Sequence, residues 1–478
     1  MNLNFPFRIS ISFLLFFSIA TSNLAAQPVN ILAKPRVDER VELLSIVFRL
    51  AGAQEFSSTQ FKRYTDNIER YFGAYKNHEL ISYIKKIRKE NGIGYDAVMK
   101  MAVHLGPAPG FKPLVKLSDS VPEKRWKMEK AQEFIRLLGK FYKDSRADVF
   151  FKANADIYKE VSQRFLTIYD QLDLNWYKDF YGKSPKEKFI IINGVGNGGG
   201  NYGPDIFYKD GKREVYAIMG TWTIDSTGMA RFDLRDYFPT LLHEFNHSFV
   251  NYLTDQNPSR FEKNGQVIYK AVQEQMSGQA YAGWQTMISE ALVRAAVIKY
   301  MKDHSFDKQA IDREILEQLD RGFLWIHELL IELEKYDQQR DRYPTLESYL
   351  PNLILAYHDY AQNISVYQNR FEQQRPKVTS IDEFANNSKN VDPAIHTITI
   401  NFDRPLFGKG YSINLTDKGK DAFPKISKVS YSKDNTSIIL ETALEKGKEY
   451  EFELSGRSFK SVDQVPIKNF VVSFNTTP

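Results

Sequence analysis

The chain has 478 residues, 42% of them hydrophobic and 26% charged, which is enough for two or three domains with a sizeable buried core. Its net charge of +5 is small for that length, and basic stretches such as Lys85-Lys86-Ile87-Arg88-Lys89 sit among acidic residues, so no nucleic-acid partner is indicated. There is no cysteine, which excludes disulfides and thiolate metal sites and leaves only His and carboxylate side chains to hold a zinc ion.

In chain order, Arg8 precedes an apolar run from Ile9 to Ala20, and small residues follow as far as Ala25-Ala26-Gln27. That pattern reads as a secretory signal peptide over 1–26, too short to span a bilayer comfortably, and places the mature chain in an exported setting: periplasmic, cell-surface or extracellular, with no membrane span. An N-terminal helical region follows over 27–130, carried by Val41, Leu43, Leu44, Val47, Phe48 and Leu50 and by Leu80, Ile81, Ile84 and Ile87 at helical spacing. Gly106-Pro107-Ala108-Pro109-Gly110 breaks it.

The next unit spans 131–386. Helical pattern runs to about Gln171 and gives way to two strand candidates, Lys188–Ile192 and Val215–Thr223. Within the second, Val215 to Trp222 reads as an edge strand able to hold an extended peptide through its backbone. Between the strands, Gly194-Val195-Gly196-Asn197-Gly198-Gly199 has the dinucleotide-binding spacing, but Gly203-Pro204 and Asp210-Gly211 leave no room for the helix that such a site requires. The segment reads instead as a mobile loop beside a cleft. Helices then return to about Asn386. After a linker at Ala385–Asn390, alternation at Thr397–Phe402 and strands near Lys428–Tyr431, Ser437–Glu441, Glu449–Leu454 and Phe470–Phe474 predict a β-sandwich over 392–478. The fold class expected is α+β: a mostly helical unit with a small sheet, then an all-β sandwich.

The chemistry is concentrated in His243-Glu244-Phe245-Asn246-His247. On a helix the two imidazoles, at i and i+4, project from one face, and both can reach a single zinc ion at about 2.0–2.1 Å. Glu244 is rotated by about 100° from His243 and points beside the ion, where a general base would act on an activated water. Phe238, Leu241, Leu242, Phe245, Phe249 and Tyr252 form the apolar stripe of that helix, and Pro239 fits its first turn. The His327-Glu328 pair lacks the second histidine, since Ile331 stands in its place, and reads as helix surface.

A catalytic zinc needs a third protein ligand and an open fourth position. Glu262, Glu274, Glu290 and Asp303 lie downstream, and Glu290 is favoured. It interrupts the mainly apolar stretch Met287–Ile298, where a carboxylate is costly without a cation, and Arg294 at i+4 could support it. The plainer alternative is a surface Glu290–Arg294 ion pair, with Glu274 as the next ligand candidate. Tyr281, Tyr357 and His358 are candidate donors to a developing oxyanion, and each also reads as packing or surface.

The His243–His247 helix followed by Glu290 on a second helix resembles the gluzincin branch of zinc metallopeptidases. That resemblance implies a zincin-like catalytic unit, His243, His247 and Glu290 as zinc ligands, Glu244 as catalytic base, and a peptide or protein substrate. No glycine-plus-third-histidine continuation follows His247, so the metzincin branch is a poor match. The stretch Arg40-Val41-Glu42-Leu43-Leu44-Ser45-Ile46-Val47 resembles a family of exported bacterial proteins of unassigned function. Ile398–Leu406, Ser432–Asn435, Lys448-Glu449-Tyr450 and Phe474-Asn475-Thr476 resemble a bacterial Ig-like domain, which implies a spacer or adhesion module. The competing expectation is a non-peptidase protein- or glycan-binding protein that keeps a structural zinc.

Overall fold

The computed structural model describes residues 32–183 and 187–478, so the signal-peptide reading lies outside the described residues. The helices are α1 (Glu39–Leu50), α2 (Lys62–Phe72), α3 (Glu79–Asn91), α4 (Asp96–His104), α5 (Met128–Asp144), α6 (Ala147–Ala153), α7 (Ala155–Arg164), α8 (Leu166–Tyr169), α9 (Leu174–Tyr181), α10 (Leu234–Asp255), α11 (Pro258–Ala271), α12 (Gln273–Gly278), α13 (Trp284–Asp303), α14 (Lys308–Asp320), α15 (Ile326–Asp337) and α16 (Leu350–Gln374). The strands are β1 (Leu32–Arg36), β2 (Lys188–Gly194), β3 (Asp205–Phe207), β4 (Arg213–Gly220), β5 (Val378–Ile381), β6 (Thr397–Phe402), β7 (Ile413–Asn414), β8 (Lys425–Tyr431), β9 (Ser437–Ala443), β10 (Glu449–Leu454) and β11 (Phe470–Asn475). The class is mixed α and β with small sheets.

The first sheet has the order β1-β2-β4-β3, with β1, β2 and β4 parallel and β3 antiparallel. Parallel strands buried on both faces read as continuous apolar runs, which is why Phe189-Ile190-Ile191-Ile192 was visible in the sequence. Two expectations change here. β4 is not an edge: β2 pairs along its whole length, β3 covers Arg213–Val215, and Tyr202 bridges Ile218. The N-terminal helical region is not a separate unit either. Its β1 is a strand of this sheet, its helices share one apolar core with the rest, and the boundary at 130/131 falls inside α5.

α13 is the central helix of the unit. Every residue from Met287 to Met301 is buried, as a helix apolar on all sides must be. α10, α11, α14 and α15 pack around it, and α10 lies between it and β4. Phe189 of β2 meets Phe245 of α10 edge-on, with ring centroids 4.7 Å apart. α10 begins at Leu234, earlier than Pro239 suggested. Pro239 therefore sits in the second turn, inside the helix, where its missing N–H leaves the Arg235 carbonyl without a helical partner.

Two antiparallel sheets, β5-β6-β9-β8 and β11-β10-β7, share a second core. Ile398, Ile400 and Phe402 of β6 face Phe452, Leu454 and Val472 across it, as the alternation predicted. This unit starts earlier than expected. β5 pairs with β6, and the supposed linker lies within the sandwich, where Asn387 N–H donates to Ser473 O and Val391 N–H to Asn475 O. The linker composition reflects a polar connection between strands, not a boundary. Among the described residues no helix is long and apolar enough to cross a membrane.

Candidate metal centre

α10 projects His243 and His247 from one face, and α13 brings Glu290 up against them. His243 Nε2 and His247 Nε2 are 3.2 Å apart, His243 Nε2 is 3.4 Å from Glu290 Oε2, and His247 Nε2 is 3.6 Å from Glu290 Oε1. Four ligands held tetrahedrally at about 2.0–2.1 Å stand roughly 3.3 Å from one another, so these three atoms occupy three corners of a zinc-sized tetrahedron. Among the described residues this is the one group of three such side chains with donor atoms this close, all within 4.8 Å.

Protonation favours the same reading. Asn251 Oδ1 lies 3.2 Å from His247 Nδ1 and can only accept, so Nδ1 carries the proton and Nε2 presents a lone pair. Burial pushes His243 well below its ordinary pKa and keeps that ring neutral. Two nitrogen lone pairs and a carboxylate then converge on one point, an arrangement that repels itself unless a cation sits there. The donor set, two neutral imidazoles and one carboxylate, suits zinc.

Glu290 is buried, and it is held from behind. Tyr281 OH donates to Glu290 Oε2 at 2.9 Å, and Arg294 Nη2 donates to the same oxygen at 3.1 Å and to Tyr281 OH at 2.8 Å. Burial alone would raise the Glu290 carboxyl; His243, His247, Arg294 and Tyr281 outweigh it and hold it down to about 2. With the rings neutral, Arg294 and Tyr281 still act, so the carboxylate stays ionised. Arg294 in turn donates to Gln318 Oε1 at 2.8 Å, and Gln318 Nε2 to Glu314 Oε1 at 2.6 Å, which ties the ligand to α14. Asn246, between the two histidines, takes the Tyr181 hydroxyl at 2.9 Å and helps lock α10 in place.

Glu244 differs from Glu290. Its carboxylate accepts no hydrogen bond among the described residues and opens onto a cleft of about 1010 Å³. Burial pushes its carboxyl up to about 7, against the pull of His247. Gly203 covers it closely: a Cβ at that position would stand 2.4 Å from Glu244 Oε2.

The glycine-rich segment forms one wall of the cleft, and it is not free. Residues 193–198 are buried. Glu42 of α1, fully buried, accepts Val195 N–H at 2.7 Å and Gly196 N–H at 3.0 Å, and Ser45 Oγ donates to Asn197 Oδ1 at 2.6 Å. Glycine is needed there for close approach: a Cβ on Gly220 would meet Gly198 O at 2.3 Å and Gly200 O at 2.6 Å.

Other sequence candidates fall elsewhere. Tyr281 is in the centre, but its hydroxyl is committed to Glu290 and Arg294. Tyr357 is buried among Phe261, Trp325 and Tyr360, with its hydroxyl 3.5 Å from Ile288 O, and does not line the cleft. His358 is on the exposed face of α16 against Asn264 and Gln362. Neither is an oxyanion donor, because the helical turn that looked promising faces the core on one side and solvent on the other. Glu262 and Glu274 are exposed, and Asp303 pairs with Lys299 and Trp176. Gln54 and Tyr95 on the near wall, and Glu314, Gln318 and Arg321 on the far wall, had no signature in the sequence.

A family model described as a domain of unknown function, DUF4932, matches residues 34–356. The chain belongs to that family. The match runs from β1 to α16 and so contains the whole centre. No curated protein matches the chain. Among solved structures, surface layer protein SbsC, domains 1–6, is similar over 50% of this chain and 33% of its own length at 15% identity, with a TM-score of 0.16. The S-layer protein rSbsC is similar over 84% of this chain and 46% of its own length at 13% identity, also with a TM-score of 0.16. The chain thus spans less than half of either protein, and such scores establish no shared fold.

Proposed function

We propose that the chain is an exported zinc-dependent peptidase with a zincin-like catalytic unit and an Ig-like C-terminal sandwich. The observation that carries this reading is the set of three donor atoms at tetrahedral spacing with the unpartnered Glu244 carboxylate beside them. Zinc held by His243, His247 and Glu290 supplies a Lewis acid and an acidified water at the fourth position. Glu244 takes the proton of the attacking water and passes it to the leaving amine nitrogen; a carboxyl poised near 7 suits both transfers. The peptide backbone lies along Gly199–Gly203. Tyr202 exchanges both backbone hydrogen bonds with Ile218, so strand alternation turns the Asn201 and Gly203 backbone groups the other way.

A structural zinc in a binding protein is the competing reading. Structural sites close with four protein ligands and need no base, whereas this centre has three donors and a free carboxylate. The test pairs metal content with turnover. Purified protein is expected to hold about one zinc per chain. It should cleave a mixed peptide library, and Glu244→Gln should stop cleavage while keeping the metal. Protein without zinc would overturn the proposal, and zinc without cleavage would favour the binding protein.

A further inference from the structure

Tyr95 has φ 50° and ψ −123°, a backbone conformation that bulky side chains avoid. The turn is fixed from below. Glu55 Oε1 takes Arg88 Nη1 at 2.6 Å and the Tyr95 N–H at 3.3 Å, and Glu55 Oε2 takes Arg88 Nη2 at 3.1 Å. The preceding Gly94 has no room for a side chain, since a Cβ would come within 2.6 Å of Glu55 Oε1. A sequence chosen for this turn alone would place glycine or asparagine at 95.

The tyrosine is 61% exposed, and the fold makes no use of it. Among the described residues its hydroxyl makes no hydrogen bond and its ring pairs with no other ring. It does line the cleft that holds His243 and Glu244. It also stands close enough to Tyr202 to act on that hydroxyl electrostatically. Tyr202 is the residue whose neighbours turn their backbone groups toward the cleft. A strained residue that contributes nothing to packing, held at the mouth of a reactive centre, points to recognition.

We propose that Tyr95 selects the substrate: its ring is the platform for an aromatic or large aliphatic side chain of an extended peptide lying along Gly199–Gly203. This deepens the peptidase reading and rests on it for the identity of the ligand. An offset or edge-on ring contact in a partly dry cleft favours Phe, Tyr or Leu over Ala or Asp at the contacting position.

The test uses the zinc-loaded protein and fluorescent peptides that differ at one position, Phe, Leu, Ala or Asp. Binding is read by anisotropy in Glu244→Gln and in Glu244→Gln/Tyr95→Gly, and turnover is read with the wild-type base and in Tyr95→Phe. Glycine suits the turn, so Tyr95→Gly should melt no lower than its parent, and a loss of preference cannot be ascribed to misfolding. The expected result is binding of the Phe peptide roughly 10-fold tighter than the Ala peptide, a gap that closes in Tyr95→Gly and persists in Tyr95→Phe. Equal binding of all four peptides, or a preference that survives Tyr95→Gly, overturns the role of Tyr95 whether or not turnover is seen. Selective binding with no turnover overturns the peptidase reading alone. No binding of any peptide overturns both.

Discussion

Gly203→Ala is the sharpest probe of the proposed base. Gly203 does not have a positive φ, so alanine is allowed by the backbone and the effect is steric. Its methyl carbon would stand 2.4 Å from Glu244 Oε2, whereas ordinary contact begins near 3.4 Å. The carboxylate must therefore retreat by about 1 Å. It can do so by a change of side-chain torsion that costs roughly 1 kcal/mol, so the protein should fold and melt within a few degrees of wild type. His243, His247 and Glu290 are not touched, and zinc content should stay at about one per chain. A misplacement of that size costs about 100-fold in rate, and it should appear in kcat with KM little changed. The assay is steady-state cleavage of a quenched fluorescent peptide, with zinc measured on the same sample. Glu244→Asp shortens the side chain and opens the room the methyl needs, so the double variant should lose less than the product of the two single losses. Wild-type kcat in Gly203→Ala would show that the position of Glu244 does not matter to the reaction. Loss of zinc would show that the collision is absorbed by α10 and its ligands, not by the carboxylate.

Glu244→Gln should retain zinc and lose about 100- to 10,000-fold in kcat; a loss under tenfold would remove Glu244 as the base. Tyr281→Phe takes the hydroxyl from Glu290 Oε2 and should weaken zinc binding by about 10- to 100-fold in a chelator competition, with unchanged affinity counting against the Tyr281–Glu290 hydrogen bond as a support of the site. Stripping zinc with a chelator should lower the melting temperature, by a shift equivalent to about 4 kcal/mol when the free metal stands a thousandfold above its Kd, and an unmoved melt would mean that nothing binds the folded state selectively. Burial pushes Glu42 up to about 7, against the Tyr64 hydroxyl and the Val195 and Gly196 N–H groups that pull it down. The folded state then holds a proton that the unfolded chain releases near 4.5, so stability falls as pH rises through the window from about 4.5 to 7, by about 3 kcal/mol. Denaturant unfolding of wild type and Glu42→Gln between pH 5 and 8 should show their difference shrinking over that window, and a flat difference would refute the assignment.

The core of the site was legible because helix geometry needs no tertiary information. His243, Glu244 and His247 are related by the period of one helix, and that relation holds wherever the helix sits. Glu290 was legible for an energetic reason: a carboxylate in an apolar helix demands a partner, and the structure supplies two histidines, an arginine and a tyrosine. Gln318 and Glu314 were not legible. α14 reads as an ordinary charged surface helix, and only its packing against α13 makes one face a support for Arg294. Tyr357 and His358 misled because polarity and aromaticity say nothing about which way a turn of α16 faces. The strand Val215–Trp222 was found, but its place in the sheet depends on a crossover that no local pattern records.

The glycine run carries the larger lesson. High glycine density reads as freedom, yet these glycines are there because other groups need the space. Gly196 leaves room for Glu42, Gly198 for Ser58 and Gly203 for Glu244. A wall built this way is rigid only while α1 is present, since Glu42 satisfies two N–H groups that would otherwise be buried without acceptors at about 1–3 kcal/mol each. β1 adds to the dependence by pairing with β2 directly behind the wall. The N-terminal helical region is therefore not an appendage to a peptidase. It shapes one side of the cleft through Gln54 and Tyr95 and holds the glycine segment in place through Glu42 and Ser45. Both the placement of Glu244 and the selection of a substrate depend on it.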